Sequence, residues 1–266
     1  MDDIPIAGSS GYAPDWSPAK YLKFEDERTR AARDLLAQVP LTTARKVVDV
    51  GCGPGNSTEQ LAWRFPGADI LGIDTSPAML EEARRRLPKL RFELADANVW
   101  SPEPDTDLVF ANATYQWLPR HIERLALALQ ALKPGAVVAV QMPDNLAEPT
   151  HQLMKDVAAD GPWATRLKDA ARDPLPSPRT YYDALRPHGA RVDIWRTVYN
   201  HRLSDAASIV EFVRSTGLKP FLDPLSEAER EQFLASYTAR IATRYPPTVD
   251  GSVLLSFPRL FFVVQR

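Results

Sequence analysis

The sequence has 266 residues, of which 44% are hydrophobic and 25% charged, and its formal net charge is −2. This length suits one large α/β domain with insertions or two small domains, and the near-neutral charge gives no global field to attract nucleic acid. The single cysteine excludes an internal disulfide and a metal site built on thiolates, and the four histidines show no ligand spacing, so no metal site is predicted.

The N-terminal part of the chain is predicted to carry an amphipathic helix within Trp16–Gln38, with aromatic residues near its start. The first ten residues lack the basic start and apolar core of a signal peptide. No apolar run approaches the roughly 20 residues that span a bilayer. We therefore predict a cytoplasmic protein with no membrane partner.

Between Lys46 and Met142, short apolar runs alternate with stretches of helical periodicity. Strand–helix alternation with buried apolar strands predicts a mostly parallel sheet that is covered by helices on both faces. The predicted strands are Val47–Val50, Ile70–Asp74, Leu90–Ala95, Leu108–Ala111 and Ala136–Gln141. The predicted helices are Ser57–Phe65, a helix capped by Ser76 with Pro77 in its first turn, and Ile122–Leu132.

The last third of the chain has a different pattern. Arg191–Leu203 alternates as a strand does, and Leu254–Val264 reads as a further strand interrupted by Pro258. Prolines cluster between Pro162 and Pro187, which is typical of a connecting or lid segment. We predict a single domain, residues 1–266. Its cap should cover the C-terminal edge of the sheet, where open α/β sheets bind ligands, and comprise residues of about 12–38, 144–176 and 204–250.

A glycine-rich turn follows the first predicted strand, with the pattern Gly51-x-Gly53-x-Gly55. Such a turn lets the backbone approach a ligand closely. The dinucleotide fingerprint requires its third glycine where this chain has Asn56, which disfavours a nicotinamide-dependent oxidoreductase. Asp49 stands just inside the strand, where its carboxylate would attract a cationic amino acid moiety rather than a pyrophosphate.

Polar side chains also end the next three strands. Asp74 lies 19 residues after Gly55, where a carboxylate can accept bonds from both ribose hydroxyls. Asp96-Ala97 follows the third strand and could meet an adenine edge, and Asn112 ends the fourth. One ligand with adenosine and amino acid parts would use all these positions. Simpler roles stay open, with Asp74 as a helix cap, Asp96 as a turn residue and Met79 as a core residue.

From the glycine loop to Gln141 the sequence resembles the class I methyltransferases. The resemblance implies S-adenosyl-L-methionine as cofactor and a seven-stranded, mostly parallel, Rossmann-like α/β sheet of order 3-2-1-4-5-7-6, with the last strand antiparallel and a helical cap. It implies that Asp49 and the loop hold the methionine part, Asp74 the ribose, and Asp96 with Ala97 the adenine. The predicted cofactor-binding residues are Asp49, Gly51, Cys52, Gly53, Asn56, Ser57, Asp74, Thr75, Met79, Asp96, Ala97, Asn112 and Trp117.

The segment after the fourth strand narrows the class of methyltransferase. Enzymes that methylate exocyclic amines of bases or glutamine carry an Asn/Asp-Pro-Pro-aromatic turn there, and this chain has Ala113-Thr114 in place of the two prolines. The two-cysteine mechanism of cytosine C5 methylation is excluded because Cys52 is the single cysteine. Together with the lack of a basic stripe, these departures disfavour nucleic acid as substrate.

A closer resemblance runs along nearly the whole chain, to the trans-aconitate 2-methyltransferase family. That family transfers a methyl group to a carboxylate of trans-aconitate and gives a monomethyl ester. The related malonyl-carrier-protein methyltransferases match less well around Gln141–His151 and at the C-terminus. The matching segments are Asp15–Pro18 with Tyr21, Val47–Ser57, Phe110–Pro119, Gln141–Asn145, Glu148–His151, Val192–Arg196 and Phe257–Leu260.

A carboxylate acceptor has an unperturbed pKa near ~4 and is ionised at neutral pH, so no essential general base is expected. Arginine suits the non-reacting carboxylates because its planar fork binds both oxygens. Simpler alternatives stay open. The arginines could be surface or structural residues, the aromatic residues could belong to the core, and the protein could be a non-catalytic scaffold that keeps the cofactor fold.

We expect a small tricarboxylate as substrate and a monomer or homodimer. The predicted substrate-binding residues are Tyr21, His151, Arg179, Tyr182, Arg196 and Arg259, with Arg28 and Arg30 in reserve and Trp117 and Tyr181 as further pocket-lining candidates.

Overall fold

Seven strands form one sheet in the order β3-β2-β1-β4-β5-β7-β6. The structure is a computed structural model that describes residues 25–214 and 216–266. Strands β1 to β5 are mutually parallel, and β7 runs antiparallel to both β5 and β6, as the sequence predicts. The strands are β1 (Lys46–Val50), β2 (Asp69–Asp74), β3 (Arg91–Leu94), β4 (Leu108–Asn112), β5 (Val137–Pro143), β6 (Arg191–Leu203) and β7 (Val253–Gln265).

Pro258 does not interrupt the last strand, contrary to the sequence prediction. β7 runs through it in continuous register with β6, where Val198 is its partner. The Pro258 carbonyl accepts from the backbone N–H of Asp144, so its polar groups face the end of β5 rather than β6. The N–H that proline lacks is therefore missing at the place where β5 ends, and no bond to β6 is lost.

Ten α-helices accompany the sheet in the described residues. They are α1 (Glu25–Ala37), α2 (Asn56–Arg64), α3 (Pro77–Arg86), α4 (His121–Ala131), α5 (Pro149–Asp160), α6 (Ala164–Leu167), α7 (Pro178–Leu185), α8 (Ala206–Arg214), α9 (Lys219–Leu222) and α10 (Glu227–Arg244). Ser76 caps α3 and Pro77 occupies its first turn, as predicted. None of these helices is long and apolar enough to cross a membrane.

Two layers of helices bury the sheet. On one face, α1 and α2 pack on apolar side chains such as Phe110 and Phe261. On the other face, α4 and α7 contribute Leu125 and Tyr181 to a second cluster. The central strands β1, β4 and β5 are buried on both sides, which is why they read as nearly continuous apolar runs in the sequence.

Helix α1 belongs to the sheet layer and not to the cap that the sequence predicts for residues 12–38. Its buried residues Ala31 and Leu35 share one apolar cluster with Leu61 of α2 and with the sheet face. The rest of that segment lies outside the described residues. Amphipathic periodicity shows that α1 has one apolar side, but not which apolar surface covers that side.

Residues 144–176 and 204–250 lie beyond the end of β5 and are called the cap from here on. Residues 253–258 of β7 pair with β6 alone, so the two long strands extend past β5 into the cap. The cap helices and this extension share an apolar cluster that includes Trp163, Phe212, Phe233 and Tyr237. The cap thus has its own core beside the sheet. The assignment of residues 1–266 to a single domain stays a prediction.

Candidate active site

A cavity of about 690 Å³ lies between the C-terminal ends of the strands and the cap. Its volume is in the range of sites that enclose small molecules. One end is lined by the glycine loop and by the ends of β2, β3 and β4, and the other by cap residues and by Phe257 and Arg259 of β7. The strands and the cap therefore build one site jointly.

The glycine loop forms one wall of the cavity. Gly51, Gly53 and Gly55 all have positive φ, at 70°, 53° and 90°, which residues with a Cβ rarely adopt. At Gly51 a Cβ would lie 2.1 Å from Oγ1 of Thr114, so the turn is closed against that side chain. Thr114 in turn donates to the carbonyl of Val50 at 3.0 Å. Only glycine fits this approach, and Thr114 fixes the loop from the side of β4.

Asp49 is fully buried at the end of β1. Its Oδ2 accepts from the hydroxyls of Ser57 and Thr58, each at 2.7 Å. Its Oδ1 is buried with no partner among the described residues. Burial raises the pKa of Asp49 to about 6. An unsatisfied buried carboxylate oxygen fits a ligand that brings a positive charge or a hydrogen-bond donor, such as an ammonium group.

A second, small cavity of about 10 Å³ lies behind the glycine loop, under α1. Its lining includes Thr29, Cys52, Asn56, Ser57 and Asn112. Buried polar atoms of Thr29, Asn56 and Asn112 have no partner among the described residues. These orphaned donors and acceptors suit the polar end of a ligand held by the loop.

Asp74 joins the end of β2 to the glycine loop. Its Oδ2 accepts from the backbone N–H of Gly53 and its Oδ1 from that of Ser76, each at 2.9 Å. Burial raises its pKa, and the residue lines the large cavity together with Thr75. The cap of α3 is Ser76, so the alternative of Asp74 as the helix cap is not what the structure shows.

Asp96 lies in a turn and lines the cavity at the same time. Its Oδ1 accepts from the backbone N–H and the side-chain amide of Asn98, at 2.8 and 2.9 Å. Ala97 and Met79 line the same end of the cavity, although Met79 is also buried. The turn and core roles that the sequence left open are therefore compatible with a place in the site.

The segment after β4 departs from a proline turn in its backbone as well as in its sequence. Ala113 has φ of 60°, which the proline ring forbids. Trp117 ends a 3₁₀ turn (Tyr115–Trp117) and lines the cavity beside Asn112. The arrangement is thus distinct from the Pro-Pro turn of amine-methylating enzymes.

Positive charge collects at the cap end of the cavity, where four basic side chains from separate elements line the wall. Arg259 comes from β7, as the sequence predicts. Arg172 lies two residues before Pro174, inside the proline-rich segment, and sequence reasoning missed it together with Lys155 of α5 and Lys219 of α9. The charges converge only through tertiary packing, so no local spacing could have revealed them.

Two of these cations are fixed by neutral groups. Arg172 donates from Nη2 to the backbone carbonyl of Pro143 at 2.7 Å. Arg259 is 3% exposed and donates from Nη1 to Oε1 of Gln141 at 2.9 Å. Lys219 instead pairs with Asp223 at 2.8 Å. Carbonyl and amide partners hold a guanidinium in place without adding negative charge.

His151 also lines the cap end, as predicted. Burial lowers its pKa to about 3, and the charges of Arg172 and Lys155 act in the same direction. The imidazole is therefore neutral at physiological pH. Its Nδ1 lies 3.2 Å from the hydroxyl of Thr150.

The structure does not bring three other predicted substrate residues to the cavity. Arg179 is exposed and pairs with Asp183 at 3.3 Å, and Tyr182 is 45% exposed beside it on α7. Arg196 lies on the edge strand β6 and donates to Asp144 at 2.8 Å. Helix α7 turns its apolar side to the sheet, so its polar residues are exposed to solvent.

The remaining substrate-binding candidates within the described residues also lie away from the cavity. Tyr181 is fully buried on the side of α7 that packs against the sheet, with its hydroxyl 2.7 Å from Nε2 of His121, and it does not line the cavity. Arg30 of α1 lies over the ring of Tyr199. Tyr21 and the side chain of Arg28 lie outside the described part of the chain. Within that part, no group of three or more His, Cys, Asp or Glu side chains could hold a metal ion.

Comparisons with known proteins agree with this fold. Residues 47–135 match the family described as methyltransferase domain. Among solved structures, the fold is similar to the YcgJ protein of Bacillus subtilis, with a TM-score of 0.59 and 11% identity over 89% of this chain and 98% of that one. It is also similar to a Haemonchus contortus phosphoethanolamine N-methyltransferase bound to S-adenosylhomocysteine, with a TM-score of 0.53 and 17% identity over 89% of this chain and 52% of that one.

Relatives with much higher identity cover almost the whole chain. The trans-aconitate 2-methyltransferase of Rhodopseudomonas palustris strain BisB5 is 59% identical over 95% of this chain and 99% of its own length. The enzymes of that name from Methylobacterium radiotolerans and Rhizobium rhizogenes are 57% and 52% identical over 95% and 94% of this chain, and over 98% and 99% of their own lengths. The chain therefore belongs to the trans-aconitate 2-methyltransferase family.

Proposed function

We propose that the protein transfers the methyl group of S-adenosyl-L-methionine to a carboxylate of trans-aconitate and releases the monomethyl ester. One observation carries the proposal beyond family membership. The cavity is acidic at the glycine-loop end and basic at the cap end, with Asp74 and Asp96 at one and Arg172 and Arg259 at the other. A cationic cofactor and a polyanionic acceptor would meet between these ends.

The glycine-loop end suits the cofactor. S-adenosyl-L-methionine, when bound, supplies a methyl group on a positively charged sulfur. We place its ammonium group at the free oxygen of Asp49, its ribose hydroxyls at Asp74 and its adenine beside Asp96 and Ala97. Met79 and the ends of β2 and β3 form the wall between them. Before the cofactor arrives, Asp49 is held by the hydroxyls of Ser57 and Thr58, Asp74 by backbone N–H groups of the glycine loop and of Ser76, and Asp96 by Asn98.

The cap end suits an acceptor with several carboxylates. Arg172 and Arg259 reach the cavity from different parts of the fold, one from the cap and one from β7; Arg259 is buried and Arg172 is partly buried. Guanidinium–carboxylate bonds are strong in such places. We assign the two arginines to the non-reacting carboxylates, with Lys155 completing the positive wall. The reacting carboxylate is then left without a cation that would weaken it as a nucleophile.

The reaction needs no general base in this site. The acceptor carboxylate is already ionised at neutral pH, since its unperturbed pKa is near ~4. His151, the one imidazole that lines the cavity within the described residues, has a pKa of about 3 and stays neutral. The chain contributes alignment of oxygen, methyl carbon and sulfur and exclusion of water by the cap. Alignment alone can supply roughly 7–11 kcal/mol.

Two alternatives are less well supported. A malonyl-carrier-protein acceptor would bring one carboxylate to a wall lined by Lys155, Arg172 and Arg259, beside the Lys219–Asp223 pair. A nicotinamide cofactor would place its pyrophosphate near the buried Asp49 and would lack the third glycine at Asn56. We also propose a cytoplasmic protein that acts on a small tricarboxylate, without nucleic acid or membrane partner, as a monomer or homodimer.

The proposal is tested by incubating the protein with methyl-labelled cofactor and a panel of di- and tricarboxylates. We expect a base-labile labelled product from trans-aconitate, with a lower KM than for any dicarboxylate. Arg172→Gln should raise that KM, whereas Arg179→Gln, a change of the same kind on the exposed side of α7, should not. Label on no carboxylate of the panel would contradict the proposal.

A further inference from the structure

Gln141 is a fully buried polar residue that does not line the cavity. It lies in β5, opposite Phe261 of β7, and its side chain is on the same face of the sheet as Arg259 two residues away. Its Oε1 accepts from Nη1 of Arg259 at 2.9 Å. Gln141 therefore binds Arg259, which lines the cap end of the cavity, although Gln141 itself does not line the cavity.

The guanidinium of Arg259 is held on several sides. Its central carbon lies 4.8 Å from the centre of the Phe257 ring and 5.9 Å from that of Tyr199. The two rings restrict the tilt of the guanidinium, and the bond to Gln141 restricts its rotation within its own plane. Arginine loses side-chain entropy when it binds a carboxylate, and a residue that is already fixed loses less.

The amide group has one orientation that satisfies these contacts. A guanidinium only donates, so the oxygen of Gln141 must face it and the nitrogen must turn away. That nitrogen is buried with no partner among the described residues. Asn112, its register neighbour in β4, carries a buried side-chain oxygen that also has no partner there. A donor at position 141 suits a neighbourhood that holds an unpartnered acceptor.

Glutamine thus does what glutamate of the same size could not do. Its oxygen fixes the guanidinium but contributes no negative charge, whereas a glutamate would ionise beside Arg259 and oppose the binding of an anionic acceptor. We infer that Gln141 is a positioning residue that orients Arg259 for a carboxylate of the acceptor and preserves its positive charge. The inference rests on the proposed function, since it assigns Arg259 to the acceptor.

The test compares Gln141→Glu and Gln141→Met with wild type and with Gln130→Glu, a matched charge change at an exposed position of α4. For each we would measure KM and kcat with trans-aconitate and the Kd of S-adenosylhomocysteine by calorimetry. Gln141→Met loses a hydrogen bond to a charged group, which corresponds to roughly ten- to hundredfold in affinity, and Gln141→Glu keeps an acceptor but adds a negative charge that opposes the acceptor. We expect KM to rise by that factor in both Gln141 variants, with kcat and the cofactor Kd changed less than about threefold. Gln130→Glu should match wild type.

A uniform rise of KM and of the cofactor Kd would overturn the inference, because it would indicate a general disturbance of the fold. An unchanged KM in both folded variants would overturn it as well. If Gln141→Glu does not fold, Gln141→Met decides, since it removes the oxygen without adding a charge. Failure of the proposed function is seen separately, as absence of turnover in wild type. Calorimetric binding of trans-aconitate to the S-adenosylhomocysteine complex then compares the same variants without turnover.

Discussion

Replacement of Gly51 by alanine tests how the glycine loop is held. The residue has φ of 70°, and a Cβ there would lie 2.1 Å from Oγ1, 2.5 Å from Cγ2 and 2.8 Å from Cβ of Thr114. Alanine in the left-handed region costs about 1–2 kcal/mol. Thr114 must also move and give up its bond to the Val50 carbonyl, which adds about 1 kcal/mol. We expect a loss of about 2–3 kcal/mol in the free energy of unfolding.

The chain offers a matched control at Gly67, which has φ of 87° and open space within 4 Å of the position that a Cβ would take. Gly67→Ala should therefore lose only the backbone cost of about 1–2 kcal/mol. Urea unfolding gives both free energies, and calorimetric titration gives the Kd of S-adenosylhomocysteine. We expect Gly51→Ala alone to weaken that binding, by about tenfold or more, which corresponds to about 1.4 kcal/mol.

The role of Thr114 is isolated by a double-mutant cycle. Thr114→Ala removes the two closest atoms, so in the Gly51→Ala background it should recover about 1 kcal/mol relative to its effect in wild type. Equal stability and cofactor affinity in Gly51→Ala and Gly67→Ala, with no coupling to position 114, would refute the reasoning.

Three further predictions concern charges in the cavity. Asp74→Ala should weaken S-adenosylhomocysteine binding by about tenfold or more without loss of fold, measured by calorimetry and circular dichroism; unchanged affinity would misplace the ribose site. Arg172→Gln should raise the KM for trans-aconitate by about tenfold and leave kcat nearly unchanged, whereas Arg179→Gln should change neither, and equal effects would contradict the assignment. The pKa of Asp49 is raised from 3.8 to about 6, so the free protein should lose stability as pH rises from 3.8 to about 6. Cofactor affinity should fall as pH drops below about 6, because protonated Asp49 no longer attracts an ammonium; Asp49→Asn should abolish both pH dependences, which unfolding and binding titrations would check.

Local sequence was sufficient for the sheet and for the polar residues at the ends of its strands. Apolar runs of strand length, each followed by a polar or glycine residue, are local features, and parallel strands bring their ends to one edge. Asp74 and Asp96 therefore line the cavity and Asp49 is buried in β1, while their contacts with the cofactor stay a prediction. The sequence prediction omitted Thr58, which donates to the carboxylate of Asp49 together with Ser57. Its position next to Ser57 in the first turn of α2 could have indicated that contact.

The acceptor end depends on tertiary packing and could not be predicted in the same way. Arg172 and Arg179 flank prolines 174, 176 and 178 of one proline-rich segment, and composition does not distinguish them. The apolar side of α7, with Tyr181 and Leu185 buried, turns Arg179 outward, while Arg172 is fixed by the Pro143 carbonyl at the end of β5. The same holds for α1, whose apolar side fits the sheet rather than the cap.

The account is tested most directly by a competition in one reaction. The protein is given S-adenosyl-L-methionine with trans-aconitate and malonyl-carrier protein at equal concentration, and both products are followed by mass spectrometry. Four basic side chains at the cap end predict that the monomethyl ester of trans-aconitate forms and that the carrier protein stays unmodified. Methylation of the carrier protein with no ester of trans-aconitate would contradict the account.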